Sequence, residues 1–171
     1  MFIIRTKSNY IMKFLFAVFC FVVIGFFSLQ AQEISKNAIG LRLGDDDGFG
    51  AEISYQRGLG NAQRLEFDLG WRDSRNFDAV KLTGLYQWVW NIDKGFNWYA
   101  GPGGGFVLID YDDIPDRDDS DTFIFIAGDI GVEYNFDFPL LISLDFRPEI
   151  GFGNDDDDLG FDIGLGVRYQ F

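Results

Sequence analysis

The chain has 171 residues, room for one domain, and its 27 acidic residues against 14 basic ones give a formal charge of −13. An acidic balance of that size excludes nucleic-acid binding through phosphate contacts, which needs clustered Lys and Arg. Histidine is absent and the single cysteine is Cys20, so Ser/His and His/Asp mechanisms, which use histidine as general base, are excluded.

The first predicted element is an export signal. Arg5, Lys7 and Lys13 precede an apolar run from Phe14 to Leu29, and the chain turns polar at Gln30-Ala31-Gln32-Glu33. A basic start, a short apolar core and a small residue at the exit predict a cleaved signal peptide over residues 1–32. A retained transmembrane helix would need roughly twenty apolar residues, and this run has sixteen. Met12 is an alternative start, which would make 1–11 an over-extended reading frame. Cys20 follows Phe19 rather than the small residue of a lipoprotein signal, so no lipid anchor is expected. Removal of the signal leaves 33–171 with eleven basic and 27 acidic residues, a formal charge of −16, and no thiol for a disulfide.

From about residue 38 the pattern has period two, which predicts strands. Ile39, Leu41 and Leu43 alternate with Gly40 and Arg42, then Ile53 and Tyr55 with Glu52, Ser54 and Gln56. Leu65, Phe67, Leu69 and Trp71 alternate with Arg64, Glu66, Asp68 and Arg72; Val80, Leu82, Tyr86, Trp88 and Trp90 oppose Lys81, Thr83 and Gln87. The stretch from Phe96 to Leu108 puts Gly101, Gly103 and Gly105 on the polar side, where glycine bends the strand and leaves room for a neighbour's long side chain. Ile124, Ile126, Ile130, Val132 and Tyr134 then oppose Asp129 and Glu133, and Ile142, Leu144, Phe146 and Ile150 oppose Ser143, Asp145, Arg147 and Glu149. In the last segment Phe161, Ile163, Leu165, Val167, Tyr169 and Phe171 face away from Asp162, Gly164, Gly166, Arg168 and Gln170. Eight such segments predict an all-β protein, an eight-stranded antiparallel up-and-down barrel over 33–171.

Alternation alone fits a soluble barrel and a membrane barrel, which put opposite chemistry in the lumen. Three features favour the membrane, with a soluble secreted binding barrel as the weaker alternative. Tyr55, Trp88, Trp90, Phe96, Trp98, Tyr134, Phe136 and Phe138 gather at one set of strand ends, as an interfacial girdle requires. The polar face is crowded with glycine, which suits a narrow lumen, and the chain stops on a strand at Phe171. The segment Gly164-Leu165-Gly166-Val167-Arg168-Tyr169-Gln170-Phe171 resembles the C-terminal assembly signal of outer-membrane barrels, carried by Leu165, Val167, Tyr169 and Phe171. The region after the signal resembles the small eight-stranded outer-membrane β-barrels, OmpA-like and adhesin-like. The resemblance implies export through the periplasm to the outer membrane of a Gram-negative bacterium. It also implies contact with lipid and lipopolysaccharide, and insertion by the barrel assembly machinery through the C-terminal strand.

With a periplasmic N-terminus, the connections Arg57 to Gln63, Asn91 to Gly95 and Asn135 to Pro139 are periplasmic. The other four hold Asp45, Asp46 and Asp47; Asp73 and Asp78; Asp110, Asp112, Asp113, Asp116, Asp118, Asp119 and Asp121; and Asp155, Asp156, Asp157 and Asp158. These sixteen of 22 aspartates define an acidic extracellular rim. Hard oxygen ligands at this density suit weak, collective binding of calcium or magnesium, although no segment has the spacing of an EF-hand loop. Without a cation they are solvated loops kept soluble by charge.

The predicted lumen holds Arg42, Arg64, Arg72, Lys81, Arg147 and Arg168 against Glu52, Glu66, Asp68, Asp129, Glu133, Asp145, Glu149 and Asp162. These groups are expected to pair, since buried charge must be compensated. Eight strands enclose only enough space for side chains, so a wide pore is excluded. Two function classes remain: a structural or surface-interaction protein with acidic extracellular loops, or a ligand-binding or narrow transport barrel with a usable lumen. Neither requires an enzyme or a cofactor.

Overall fold

The computed structural model describes residues 34–44, 50–74, 77–111, 120–152 and 159–171; the expected signal peptide lies outside them. Each period-two stretch is one strand, because successive side chains on a strand point to opposite faces. The strands are β1 (Asn37–Leu43), β2 (Ala51–Gly60), β3 (Gln63–Asp73), β4 (Phe77–Asp93), β5 (Phe96–Tyr111), β6 (Ser120–Asn135), β7 (Leu140–Phe152) and β8 (Leu159–Gln170). Each pairs antiparallel with the next, and β8 pairs antiparallel with β1 to close the barrel.

The turns at one end are tight for a local reason. Asn61 and Ala62, between β2 and β3, have φ of 53° and 61°; Lys94 and Gly95, between β4 and β5, have 26° and 91°. Two successive positive φ values are what a two-residue hairpin turn needs to match the right-handed twist of its strands. At Gly95 space adds a second requirement, since a Cβ there would stand 2.6 Å from the Asn135 carbonyl oxygen. Between β6 and β7 the Phe136 amide donates to the Leu140 carbonyl at 3.1 Å.

The registers define the stagger of the wall. A circuit from Ile39 passes through Tyr55, Phe67, Gly84, Gly104, Ile126 and Ile150 to Leu159, each residue paired with the next. Ile39 itself pairs with Tyr169, ten positions further along β8 than Leu159. A stagger of this kind tilts the strands roughly 35–45° to the barrel axis, and eight strands then enclose a lumen that side chains can fill. Pro102 and Pro148, which lack an N–H, fall where the β4–β5 and β6–β7 ladders are interrupted.

The faces are inverted relative to a water-soluble protein. Outside, Ile130 is 51 % exposed, Leu144 51 % and Ile163 61 %; inside, Arg42, Arg64, Arg147 and Arg168 are buried. An apolar outer wall of this extent is stable against lipid, where each backbone polar group must be paired within the protein. Of the aromatic rings expected at one set of strand ends, Trp90 stacks on Trp98 with centroids 4.2 Å apart, Phe96 meets Tyr134 at 4.5 Å, and Tyr134 meets Phe136 at 4.7 Å.

Closure predicts heat modifiability, because a barrel with no free edge resists local opening. Unboiled protein in detergent should migrate on a denaturing gel at a position different from that of boiled protein. Identical migration of the two samples would be incompatible with a closed barrel.

Candidate functional site

Among the described residues, the barrel interior brings polar and charged side chains from all eight strands together. Arg42 of β1 is its most connected cation. Its Nε and Nη2 donate to Asp145 Oδ1 at 2.9 and 2.5 Å, and its Nη1 donates to Asp162 Oδ2 at 2.5 Å and to Glu52 Oε2 at 3.1 Å. The guanidinium fits because Gly164 of β8 has no side chain; a Cβ there would overlap it.

Below it lies a second cluster. Arg147 of β7 crosses the lumen to Asp68 at 2.7 Å and Glu66 at 3.5 Å, both on β3, and approaches Glu52 at 3.7 Å. Arg168 of β8 donates to Glu66 at 2.8 Å, Ser54 at 2.8 Å and Ser143 at 2.7 Å. Glu66 also accepts from Gln56 at 2.6 Å and Gln87 at 3.3 Å. Charge-assisted bonds converging on one carboxylate are the strong kind, and together they satisfy most of its lone pairs.

Two smaller clusters occupy the ends. Toward the short turns, Arg64 donates to Glu133 at 2.6 Å and to Gln87 at 2.5 Å, with its guanidinium 4.6 Å from the Tyr99 ring centre. Asn97 donates to the other Glu133 oxygen at 3.0 Å, and Gln87 also donates to Asp129. At the opposite end Lys81 pairs with Glu149 at 2.8 Å and stands 5.0 Å over the Phe125 ring. Near Arg64 and Glu133 a cavity of about 10 Å³ remains, space for a single water.

Thirteen of the fourteen predicted lumen charges line the interior. The exception is Arg72, which is exposed at the end of β3 with its guanidinium 5.4 Å over the Phe77 ring. Alternation gives the face of a strand and not its depth, and β3 runs on past the lumen. The inward face also buries large apolar groups on β4, β5, β6 and β7: Leu85, Val89, Tyr99, Phe125 and Leu141. Leu85, Phe125 and Ala127 form one cluster with Val107 against it. The room expected beside the β5 glycines is taken by these groups: Leu85 occupies the place of a Cβ at Gly103, and Phe125 Cζ stands 2.7 Å from one at Gly105. Parity along β4 and β5, continued through Leu85 and Tyr99, was the available signal.

Of the rim, Asp73, Asp78, Asp110 and Asp121 are described. Asp73, Asp78 and Asp110 occupy one row of paired positions on β3, β4 and β5, and Asp121 pairs with Ile109. Asp45, Asp46, Asp47, Asp112, Asp113, Asp116, Asp118, Asp119, Asp155, Asp156, Asp157 and Asp158 lie outside the described residues. Among the described residues no group of three or more acidic side chains is placed to hold a metal ion. Leu165, Val167 and Tyr169 are exposed on the outer face of β8, Phe171 is exposed just past its end, and the Phe171 amide donates to the Asn37 carbonyl at 2.9 Å.

Removing one partner of a buried ion pair leaves an uncompensated charge, at a cost of about 3 to 5 kcal/mol. Arg42→Ala and Arg147→Ala should each lose that much in urea unfolding of the refolded barrel in detergent. Arg72→Ala should stay within about 0.5 kcal/mol of the parent, as an exposed substitution does. Unchanged midpoints for both lumen variants would mean that water, rather than ion pairing, compensates these charges.

No protein-family model matches the chain, and no curated protein sequence matches it. Its structure is similar to solved barrels at low identity. The N-terminal β-barrel domain of Pseudomonas aeruginosa OprF aligns with a TM-score of 0.59 at 15% identity, covering 80% of this chain and 98% of that one. Neisserial surface protein A aligns at 0.56 and 15%, covering 79% and 94%. Ail, the attachment invasion locus protein of Yersinia pestis, in complex with the heparin analogue sucrose octasulfate, aligns at 0.52 and 18%, covering 79% and 97%. The chain therefore has the fold of the small eight-stranded outer-membrane β-barrels.

Proposed function

We propose that this chain is an outer-membrane barrel of a Gram-negative bacterium, reached by export through the periplasm, that acts as a structural or surface-interaction protein. Its work is done by the acidic loops, and the barrel is their platform. The observation that carries this reading is the filled lumen: Arg147 and Arg168 reach across from β7 and β8 to Asp68 and Glu66 of β3, and Arg42 ties β1 to Asp145 and Asp162 of β7 and β8. Cross-lumen ion pairs obstruct the path of a solute, so transport, and binding of an organic ligand inside the barrel, are disfavoured. The role is non-enzymatic, in keeping with a chain that has no histidine.

The rim gives the surface role its chemistry. The neighbour solved with a heparin analogue holds a polyanion, whereas sixteen aspartates would repel one. Calcium or magnesium, bound weakly by those carboxylates, would bridge the rim to the phosphates of surrounding lipopolysaccharide. Leu165, Val167, Tyr169 and Phe171 would present the C-terminal strand to the barrel assembly machinery.

Single-channel recording in planar bilayers tests the platform reading directly. The purified barrel should show no stable openings at neutral pH and moderate voltage. Long-lived, reproducible conductance steps would instead establish the narrow transport barrel.

A further inference from the structure

The lumen is out of charge balance. Among the described residues eight carboxylates line it against five basic groups, Arg42, Arg64, Lys81, Arg147 and Arg168. Excess charge of one sign in a low-dielectric interior is costly unless something compensates it. Of the buried carboxylate oxygens without a hydrogen-bond partner, Asp68 Oδ1 stands apart on β3, and two others stand on the adjacent strands β6 and β7. Asp129 Oδ1 and Asp145 Oδ2 are buried without a hydrogen-bond partner, and so is the hydroxyl of Tyr99, a residue only 1% exposed.

These three oxygens belong to three neighbouring strands, in two successive inward rows. Tyr99 of β5 pairs with Gly131 of β6, which pairs with Asp145 of β7, and Asp129 is the next inward position on β6. Gly131 is what lets them converge. A Cβ there would lie 2.5 Å from the Tyr99 hydroxyl, so the end of the ring lies over β6 in the space a side chain would fill. Asp129 and Tyr99 each interact electrostatically with Asp145.

We infer that the lumen holds a monovalent metal cation, of the sodium or potassium class, between Asp129 Oδ1, Asp145 Oδ2 and the Tyr99 hydroxyl. Hard oxygen donors suit such an ion. The charge is one rather than two because no third carboxylate joins the group, and no set of three acids placed for a metal exists among the described residues. The competing occupant is a water bridging Asp129 to Arg147, whose Nε and Nη1 also have no hydrogen-bond partner.

A ligand that binds only the folded state raises stability with its concentration, and that separates the two. The refolded full-length barrel in detergent, with EDTA present and ionic strength and pH held constant, is unfolded in urea while sodium or potassium chloride replaces N-methylglucamine chloride. N-methylglucamine screens the exposed aspartates as the small ions do, but is too large for the lumen. The midpoint should rise saturably with sodium or potassium. Asp129→Asn should abolish that rise, and Tyr99→Phe, which deletes only the hydroxyl, should weaken it; if the first variant does not refold, the second decides. A midpoint identical in all three salts, as a bridging water requires, overturns the assignment. So does a rise that survives unchanged in Tyr99→Phe, or in Asp129→Asn where that variant refolds.

Discussion

Pairing of β8 with β1 governs the rest of this structure. In lipid no water is available to satisfy a backbone N–H or C=O, so a sheet must either close or leave an edge that costs several kcal/mol per unpaired group. Closure is achieved with a stagger of ten positions, and that stagger fixes the tilt, the lumen width and the set of residues that share a height. Arg42 meets Asp145 and Asp162 because the wall is offset in this way; in the unrolled sheet those residues sit on the far edge.

The polar interior follows from the same constraint. Lipid outside takes the apolar face, so the alternate residues must be buried together. A narrow tube can hold them only if charges pair and side chains interleave with gaps, and Gly164 and Gly166 supply such gaps beside Arg42 and Arg168. Burying ion pairs adds little net stability, since the desolvation cost offsets much of the attraction. Their effect falls on register. A slip of one residue would turn the charged face to lipid and the apolar face to the lumen, and Arg42, bonded to three other strands, would lose every partner at once.

The fold therefore constrains residue type far more than residue identity. An apolar outward residue can be any of several, because lipid makes no specific contact with it. A barrel of this kind tolerates wide sequence divergence and leaves the loops free to set what is bound. In this chain the described outer wall stays apolar while the interior is charged.

Much of this was legible in the residues themselves. Period-two alternation from Ile39 to Phe171 determined strands, their number and their inward faces, because side-chain direction on a strand is a local property of the backbone. The terminal Leu165, Val167, Tyr169 and Phe171 marked the membrane-facing side for the same reason. Alternation could not say how far along the axis a residue sits, so Arg72 was placed in a lumen that β3 has already left. Nor could it say which charges meet, because Arg42 and Asp145 lie on strands far apart in sequence and are joined only by closure and stagger. Tyr99 and Phe125 were hidden for a related reason: whether an inward position must be polar depends on what stands across the tube. Which way the side chains point was thus determined by the sequence alone, while which of them touch was decided only when the sheet closed on itself.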